Sequence, residues 1–179
     1  SGLRFELAIG ESRLVQTVTL ATGSKRLDCH TWVDWREMHK MLRVSFPTRI
    51  LASEATCDIQ YGTVRRPTHR NTSWDMAKFE VAAHRYIDLS DNDRGAALLN
   101  DCKYGHKIHE HVLDLNLLRA PTEPDPDADY GEHTLIYSFL PHQGTLIEAD
   151  VMAEAAMLNQ PPVLLTGRSS DGIALPLTI

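Results

Sequence analysis

The sequence VLDLNLLRAPTEPDPDADYGEHTLIYSFLP, residues 112–141, contains two strand-like runs joined by a proline-rich acidic loop. In the first run, Leu113, Leu115 and Leu117 alternate with polar residues, which is the period-two pattern of a strand with one buried face. The second run, TLIYSFLP, is apolar at consecutive positions, so we expect this strand to lie between two layers. The stretch therefore predicts a layered β structure.

The same alternation occurs in other parts of the chain. In LRFELAIG, residues 3–10, the side chains of Leu3, Phe5, Leu7 and Ile9 predict a strand with one buried face. Further strand-like runs, each bounded by turn residues, are KMLRVSFP (40–47), TCDIQYG (56–62) and KFEVAAHRYIDLS (78–90). Many strands at spacings of about ten residues, without an internal repeat, predict an all-β fold, an antiparallel β-sandwich.

One stretch, LIEADVMAEAAMLNQPP, departs from the strand pattern. Its residues Ile147, Val151, Ala155 and Leu158 are spaced for one face of a helix, and two prolines end the pattern. We therefore predict one short helix near residues 147–158.

The chain has strand-like sequence at both ends, including GIALPLTI at residues 172–179. We predict a single β-sandwich domain over residues 1–179. We also expect this domain to be part of a longer polypeptide, so that part of its function lies outside these residues.

Composition limits the classes of function. With 42% hydrophobic and 23% charged residues, the chain can bury one good core. The net charge of −6 disfavours nucleic acid or an anionic membrane as a partner, although a local basic patch stays open. The widely spaced Cys29, Cys57 and Cys102 predict reduced thiols of a cytoplasmic protein. We find no apolar run of membrane-spanning length and no signal peptide, so we predict neither a membrane span nor export.

A histidine-rich segment, HKIHEHVLD, raises the question of a metal site. On a strand, His109 and His111 would share a face and could ligate zinc, with His106 nearby. The spacing matches no zinc finger, and Glu110 is followed at once by His111, which excludes the HExxH helix. The sequence favours a solvated strand entry rich in histidine over a metal centre.

The acidic loop has Asp125, Asp127 and Asp129 at alternate positions, as a calcium loop does. An EF-hand needs glycine and glutamate where this chain has Tyr130 and Ile136, so we predict no calcium site. Three prolines would hold the loop stiff and extended. Two interpretations stay open, a loop that lines a site and a solvated acidic turn.

Catalytic signatures are missing from the residues themselves. The chain has no GxSxG elbow and no cysteine in a recognisable catalytic context. Glycoside hydrolysis needs two carboxylates at a set separation, and spacing alone does not select a pair among 24 acidic residues. We assign no catalytic residue and no metal ligand to this chain.

Several long motifs carry a family resemblance in one order. They are GSKRLDCHTWVDWREMHKMLRVSFP (23–47), RPTHRNTSWDMAKFEVAAHRYIDLSD (66–91), GAALLNDCKYG (95–105), LNLLRAPTEPDPDADYGEH (115–133), FLPHQG (139–144) and EAAMLNQPP (154–162). In order and spacing, the chain resembles the C-terminal domain of glycoside hydrolase family 38, the α-mannosidases. It looks closest to the branch that includes cytosolic and bacterial enzymes.

The resemblance implies a β-sandwich of the galactose-mutarotase-like supersandwich type. It also implies an enzyme that removes terminal α-linked mannose with retention, through an aspartate nucleophile and a divalent metal, usually zinc. In the family, these groups belong to an N-terminal catalytic domain, against which the sandwich packs and whose active-site wall it helps to complete. We therefore expect an inactive piece that needs no cofactor itself, with the catalytic domain and an α-mannoside as partners; a homo-oligomer stays open.

The segment RPTHRNTSWD is the first candidate binding surface. We predict an ordered loop in which Arg66, His69, Arg70, Asn71 and Trp74 face the catalytic domain or crosslink the sandwich internally. Direct sugar contact is the alternative, because a pyranose stacks on an aromatic ring while guanidinium and amide groups bind its hydroxyls.

Arg119, at the exit of the LNLLR strand, is the first candidate for a contact with substrate, because the resemblance implies an arginine in this part of the sandwich. Asp125 and Asp129 of the acidic loop complete this predicted substrate-binding set. A second choice is the turn with Asp101, Lys103 and Tyr104, for which a purely structural role is favoured.

Two rival functions stay open beside the mannosidase domain. One is a stand-alone carbohydrate-binding sandwich without catalysis. The other is a docking domain without a ligand.

Overall fold

The computed structural model describes residues 1–160, which form twelve strands and two short helices. The strands are β1 (Gly2–Ile9), β2 (Ser12–Leu20), β3 (Leu27–Trp35), β4 (Leu42–Pro47), β5 (Glu54–Ile59), β6 (Gly62–Pro67), β7 (Val81–Ala82), β8 (Tyr86–Ser90), β9 (Arg94–Asn100), β10 (Gly105–His109), β11 (Val112–Leu118) and β12 (Gly131–Gln143). The helices are α1 (Ser73–Ala77) and α2 (Val151–Asn159). The strand predicted at 172–179 lies outside the described residues.

The strands form two sheets in which every pairing is antiparallel. The larger sheet has eight strands in the order β1-β2-β3-β12-β9-β8-β5-β6, and the smaller has four in the order β4-β11-β10-β7. Side chains of both sheets meet in one apolar core. The predicted all-β class and antiparallel β-sandwich are confirmed.

Strands β11 and β12 supply the centre of this core. Leu113 and Leu115 on β11 pack in one cluster with Leu135 and Tyr137 on β12. The alternation in β11 ends at a bulge where the pairing with β4 shifts between Asn116 and Leu118, so the last two leucines are both buried. The alternating pattern thus predicted the buried face of β11 up to this bulge.

Strand β12 is covered on both sides, as its continuous apolar sequence predicted. Leu135 and Tyr137 face the smaller sheet, whereas Leu140 packs in a separate cluster with Val151 and Ala155 of helix α2. Two layers therefore cover the larger sheet along this strand, one of strands and one of helix.

Helix α2 is shorter than the predicted span of 147–158. It begins at Val151, after a turn in which the Glu148 carboxylate accepts hydrogen bonds from the backbone N–H and the hydroxyl of Thr145. Asp150 then takes a left-handed conformation with φ of 53°, which interrupts the helix on its N-terminal side. Ile147, predicted to lie on the buried face, is consequently exposed in the turn.

The prediction of a buried face on β1 is wrong for the described residues. Leu3, Phe5 and Leu7 are 67%, 44% and 53% exposed. Strand β1 lies at the edge of the larger sheet, beyond the reach of the four-stranded sheet. The alternation is therefore real, and Ile9 at the end of the strand is half-buried against a core cluster, but nothing among residues 1–160 covers Leu3, Phe5 and Leu7.

The run predicted as one strand over residues 78–90 is divided between the two sheets. Val81–Ala82 pair with β10 of the smaller sheet, and Tyr86–Ser90 pair with β5 and β9 of the larger sheet. The Asp58 carboxylate fixes the crossing point, since it accepts hydrogen bonds from the backbone N–H and the guanidinium of Arg85. No helix in the described part of the chain is long and apolar enough to cross a membrane.

Candidate functional site

The loop that joins β11 to β12 is held in place by its own aspartate. One carboxylate oxygen of Asp129 accepts hydrogen bonds from the backbone N–H groups of Arg119 at 2.8 Å and Ala120 at 2.7 Å. Burial acts to raise the pKa of the Asp129 carboxyl, but the two N–H donors and the nearby His133 and Lys103 side chains together lower the pKa below its ordinary value. The loop is not extended as predicted, because residues 126–129 turn back to make this contact.

Further contacts attach the loop to the segment after β3. The backbone N–H of His39 donates to the carbonyl of Ala120 at 3.0 Å, and the His39 ring lies 3.3 Å from the Thr122 hydroxyl. The Arg36 guanidinium lies 4.7 Å from the centre of the Tyr130 ring, within cation–π distance. The exit of β11 is therefore a fixed platform and not a free loop.

Arg119 stands on this platform with its side chain exposed. Its guanidinium forms no hydrogen bond or ion pair with the described part of the chain, and Arg119 lines two adjoining cavities of about 340 and 540 Å³. Asp129 borders the smaller of them. Asp125 is placed apart, in an exposed turn where its carboxylate accepts from the N–H of Asp127. Of the predicted substrate-binding set, the structure brings Arg119 and Asp129 together but not Asp125.

The second candidate surface contains a helix that the sequence analysis missed. The segment was predicted to be an ordered loop, but its residues Ser73–Ala77 form helix α1. Thr72 is its N-cap, because the Thr72 hydroxyl accepts from the backbone N–H of Asp75 at 3.1 Å and donates to the Asp75 carboxylate at 2.7 Å. The sequence T-S-W-D has the spacing of a short capping motif, which was the overlooked signal.

The predicted residues of this segment divide into two groups. Arg66, His69 and Arg70 line one cavity of about 240 Å³. Trp74 is 80% exposed, and neither it nor Asn71 lines that cavity. Only part of the predicted surface is therefore a concave site.

Arg66 links the two sheets. Its Nη2 donates to the backbone carbonyl of Ala82 at 3.2 Å, which joins β6 of the larger sheet to β7 of the smaller. This contact favours the internal crosslink among the interpretations left open for Arg66.

The histidine-rich segment does not have the predicted arrangement. Glu110 and His111 form a two-residue turn, so His111 lies in the turn itself and does not share a strand face with His109. His106 is fully buried, not solvated as expected. No group of three or more His, Cys, Asp or Glu side chains in residues 1–160 is arranged to hold a metal ion.

A buried polar pair escaped the sequence analysis. The His142 ring and the Asp88 carboxylate lie 2.7 Å apart with both side chains almost fully buried, and the Ser90 hydroxyl also donates to Asp88. Burial acts to lower the pKa of His142, but the Asp88 carboxylate outweighs it and raises the pKa above its ordinary value. Gly95 makes room for the ring, since a Cβ there would lie 2.2 Å from His142 Cε1.

Comparison with known proteins provides the family. The model of the glycosyl hydrolases family 38 C-terminal domain matches residues 1–127. The chain is 52% identical to alpha-mannosidase 2C1 of Mus musculus over 154 residues, covering 86% of this chain and 15% of that protein. It is 48% identical to alpha-mannosidase G of Dictyostelium discoideum over 153 residues, covering 86% and 14%. The chain thus spans about one seventh of the length of the curated relatives it matches.

A solved structure supports the fold. The crystal structure of an alpha-mannosidase from Enterococcus faecalis V583 superimposes with a TM-score of 0.74 at 21% identity. The match covers 82% of this chain and 18% of the solved one.

Proposed function

The chain belongs to the C-terminal domain family of the family 38 glycosyl hydrolases, and from this premise we propose that it is the non-catalytic sandwich of a retaining, metal-dependent α-mannosidase. In this proposal, residues 1–179 are one domain that packs on an N-terminal catalytic domain of the same polypeptide and completes its active-site wall. The nucleophile and the zinc ligands lie outside this chain, so the isolated piece hydrolyses nothing.

Two findings support the assignment of catalysis to a different domain. The relatives with about half of their aligned residues identical are named alpha-mannosidases, and they are several times longer than the chain. The described residues do not fit a metal ion, because no suitable cluster of ligands exists among them. We therefore assign no step of the reaction to a metal bound by residues 1–160.

The main observation in favour of a role in the active-site wall is that Arg119 is exposed at the fixed exit of β11. A guanidinium without a partner inside the described chain has five N–H donors available, and sugar hydroxyls accept such bonds. Asp129 positions Arg119 by accepting from the backbone N–H of that residue, and it is not needed as a direct sugar contact.

The test is Arg119→Gln in the full-length enzyme. We expect kcat/KM for an α-mannoside to fall about tenfold, because a charged hydrogen bond to the sugar is lost. Lys25→Gln is the matched control, since Lys25 is exposed on the β2–β3 connection and its replacement removes the same charge elsewhere. Equal kcat/KM values for Arg119→Gln and the control would remove Arg119 from the wall.

The remaining features of the proposal concern the surroundings of the domain. His69, Arg70, Asn71 and Trp74 belong to the surface that faces the catalytic domain, or contact sugar directly. The location is cytoplasmic, which is consistent with three cysteines that form no disulfide. The partners are the catalytic domain and the α-mannoside. Whether the whole enzyme is a homo-oligomer stays open.

A second candidate function is stand-alone sugar binding, favoured by the exposed Trp74. Trp35 is buried and Trp32 is half-buried, so Trp74 is the tryptophan best placed to respond to a ligand. Fluorescence of the isolated chain titrated with mannose and α-mannosides distinguishes a sugar-binding domain from a docking domain without a ligand. A saturable change that Trp74→Phe abolishes supports the lectin-like function, whereas no change favours a docking domain.

A further inference from the structure

The cavity beside Arg66 has an excess of positive charge. It measures about 240 Å³ and lies between β6, α1 and β7. Four of the lining residues carry a permanent positive charge, and two carry a carboxylate. The cations are Arg65, Arg66, Arg70 and Lys78. This local excess contrasts with the net charge of −6 for the whole chain.

The two carboxylates of the cavity are already engaged by other groups. The Asp75 carboxylate accepts from the hydroxyl of the helix cap Thr72 at 2.7 Å, and this bond lowers the pKa of the Asp75 carboxyl. The Glu80 carboxylate accepts from the Asn116 amide at 2.8 Å and pairs with the Arg43 guanidinium, which does not line the cavity. The Asp75 carboxylate also faces the His69 ring at 3.8 Å and lies near Lys78, so it offsets part of the positive charge. Neither carboxylate forms a direct ion pair with a cavity arginine or lysine.

Three of the four cations form no direct ion pair with the described part of the chain. Arg70 and Lys78 form no hydrogen bond or ion pair with the described part of the chain, and Arg66 donates only to the neutral carbonyl of Ala82. The Nε of Arg66 is buried without a hydrogen-bond partner among the described residues. Arg65 forms an ion pair with the exposed Glu54 carboxylate at 3.7 Å, and Lys78 lies near the Asp75 carboxylate without a direct contact. Unpaired cations around one concavity repel each other unless an anion lies between them.

The rest of the wall is apolar. It is formed by five side chains, namely Val64, Pro67, Phe79, Val81 and Ile108. Such a wall accepts an uncharged organic group next to the charged end of a ligand.

We propose that this cavity binds a phosphate group, either as free phosphate or as the monoester of a small organic molecule. A phosphate dianion offers oxygens to several cations at once, and the planar guanidinium of arginine matches its geometry. A single carboxylate would leave more of the positive charge uncompensated. The inference uses neither Arg119 nor the active-site wall. It shares His69 and Arg70 with the surface proposed to face the catalytic domain, but it is tested by phosphate binding and not by mannosidase activity, so the two proposals can fail separately.

The test is calorimetric titration of the chain with inorganic phosphate in a low-salt buffer free of phosphate. We expect saturable binding that is millimolar or tighter and that weakens with added salt. Arg70→Gln and Lys78→Gln should each weaken it about tenfold, as loss of a charged hydrogen bond does. Arg49→Gln and Lys25→Gln are the matched controls, because both residues are exposed and lie outside this cavity.

Phenyl phosphate and phenol separate the two sources of the phosphate group. Tighter binding of phenyl phosphate than of inorganic phosphate identifies an ester as the ligand, and equal binding identifies free phosphate. The proposal is overturned if neither phosphate saturates, if phenol binds as well as phenyl phosphate, or if the cavity variants bind like their controls. Circular dichroism of each variant separates loss of binding from loss of fold.

Discussion

His106 is a neutral imidazole enclosed in the core between the two sheets. It is fully buried, and neither ring nitrogen has a well-formed hydrogen bond to the described residues. Burial lowers the pKa of His106 from 6.5 to about 4, because the charged form would lose its hydration. The unfolded chain therefore binds a proton at this residue in a pH range where the folded chain does not.

We predict that this residue makes the fold sensitive to mild acid. The contribution of the neutral His106 to stability is fully present above pH 6.5 and is lost as the pH drops towards 4, by about 3 kcal/mol in total. His106→Leu should remove most of that loss, as measured by urea unfolding across this pH range. His30→Leu, an exposed position on β3, is the control and should keep the loss. An unchanged pH profile in His106→Leu would contradict the prediction.

His142 has the opposite sign and does not mask this effect. Its pKa is raised in the folded state, so its contribution is fully present below its unfolded value near 6.5. That contribution is lost as the pH rises through the folded pKa. Acid therefore weakens the fold at His106 and not at His142.

At the residue scale, sequence identified exposed side chains better than buried pairs. Arg119 was singled out because the family resemblance implies an arginine in this part of the sandwich, at the exit of a clear strand. The pair of Asp88 and His142 could not, because the two residues are 54 positions apart and meet only through the β8-β9-β12 pairing. The inward position of His106 follows from strand register, which composition alone does not provide.

Arg26 is a polar link between helix α2 and the larger sheet, beside the apolar contacts of Val151 and Ala155 and the hydrogen bond from the Asn159 amide to the Asn100 carbonyl. The Arg26 guanidinium donates to the Asp28 carboxylate at 2.7 Å and to both the backbone carbonyl and the carboxylate of Glu154. The Ser138 hydroxyl supports Asp28 from the neighbouring strand at 2.7 Å. The Arg26 side chain is only 13% exposed, so these bonds are partly shielded from water.

We expect Arg26→Ala to destabilise the fold by about 2 kcal/mol, because it leaves two carboxylates and a carbonyl without their shared donor. The measurement is the free energy of unfolding in urea, with Lys25→Ala as the control at the exposed neighbouring position. Arg26→Lys should lie between the two, since it keeps the charge but loses the planar geometry. Equal stabilities of Arg26→Ala and the control would contradict a role for Arg26 in holding α2.

At the element scale, hydrophobic periodicity predicted helix α2, which packs on the sheet, and missed helix α1, which is held by its N-cap. Helical spacing predicted Val151 and Ala155 on the buried face of α2, and in the structure both residues contact the sheet. Helix α1 was missed because it buries no residue, so its sequence has no apolar stripe. Helix α1 depends on the N-cap at Thr72, whose sequence signal is local because Thr72 bonds to Asp75, three residues later.

At the scale of the molecule, the sandwich could be predicted but its strand order could not. Alternation in many short runs requires sheets with a shared core, which the structure has. The central pairing of β3 with β12 joins Trp35 to Gly131, although most of the strands of the fold lie between them in sequence. Such a long-range pairing depends on the packing of the complete core, so the sequence of either strand alone does not predict it.

The same scale explains the exposed side of β1. Leu3, Phe5 and Leu7 continue the inner face of the larger sheet, since they stand opposite residues of β2 whose own partners on β3 line the core. The outer side of β1 is charged, with Arg4 and Arg13 paired to Glu6. An apolar face on an exposed edge strand favours association with another surface.

We predict that the isolated chain self-associates through this face of β1. Phe5→Lys places a charge in the apolar row and should shift the chain towards monomer in sedimentation velocity over a concentration series. Ala8→Lys is the matched control, because it adds the same charge to the same exposed strand on the opposite face and should leave association unchanged. Because Phe5 contributes little to the core, both variants should unfold at nearly the same urea concentration as the parent chain. A parent chain that stays monomeric at all concentrations, or an equal effect of the two substitutions, would contradict a role for the apolar row.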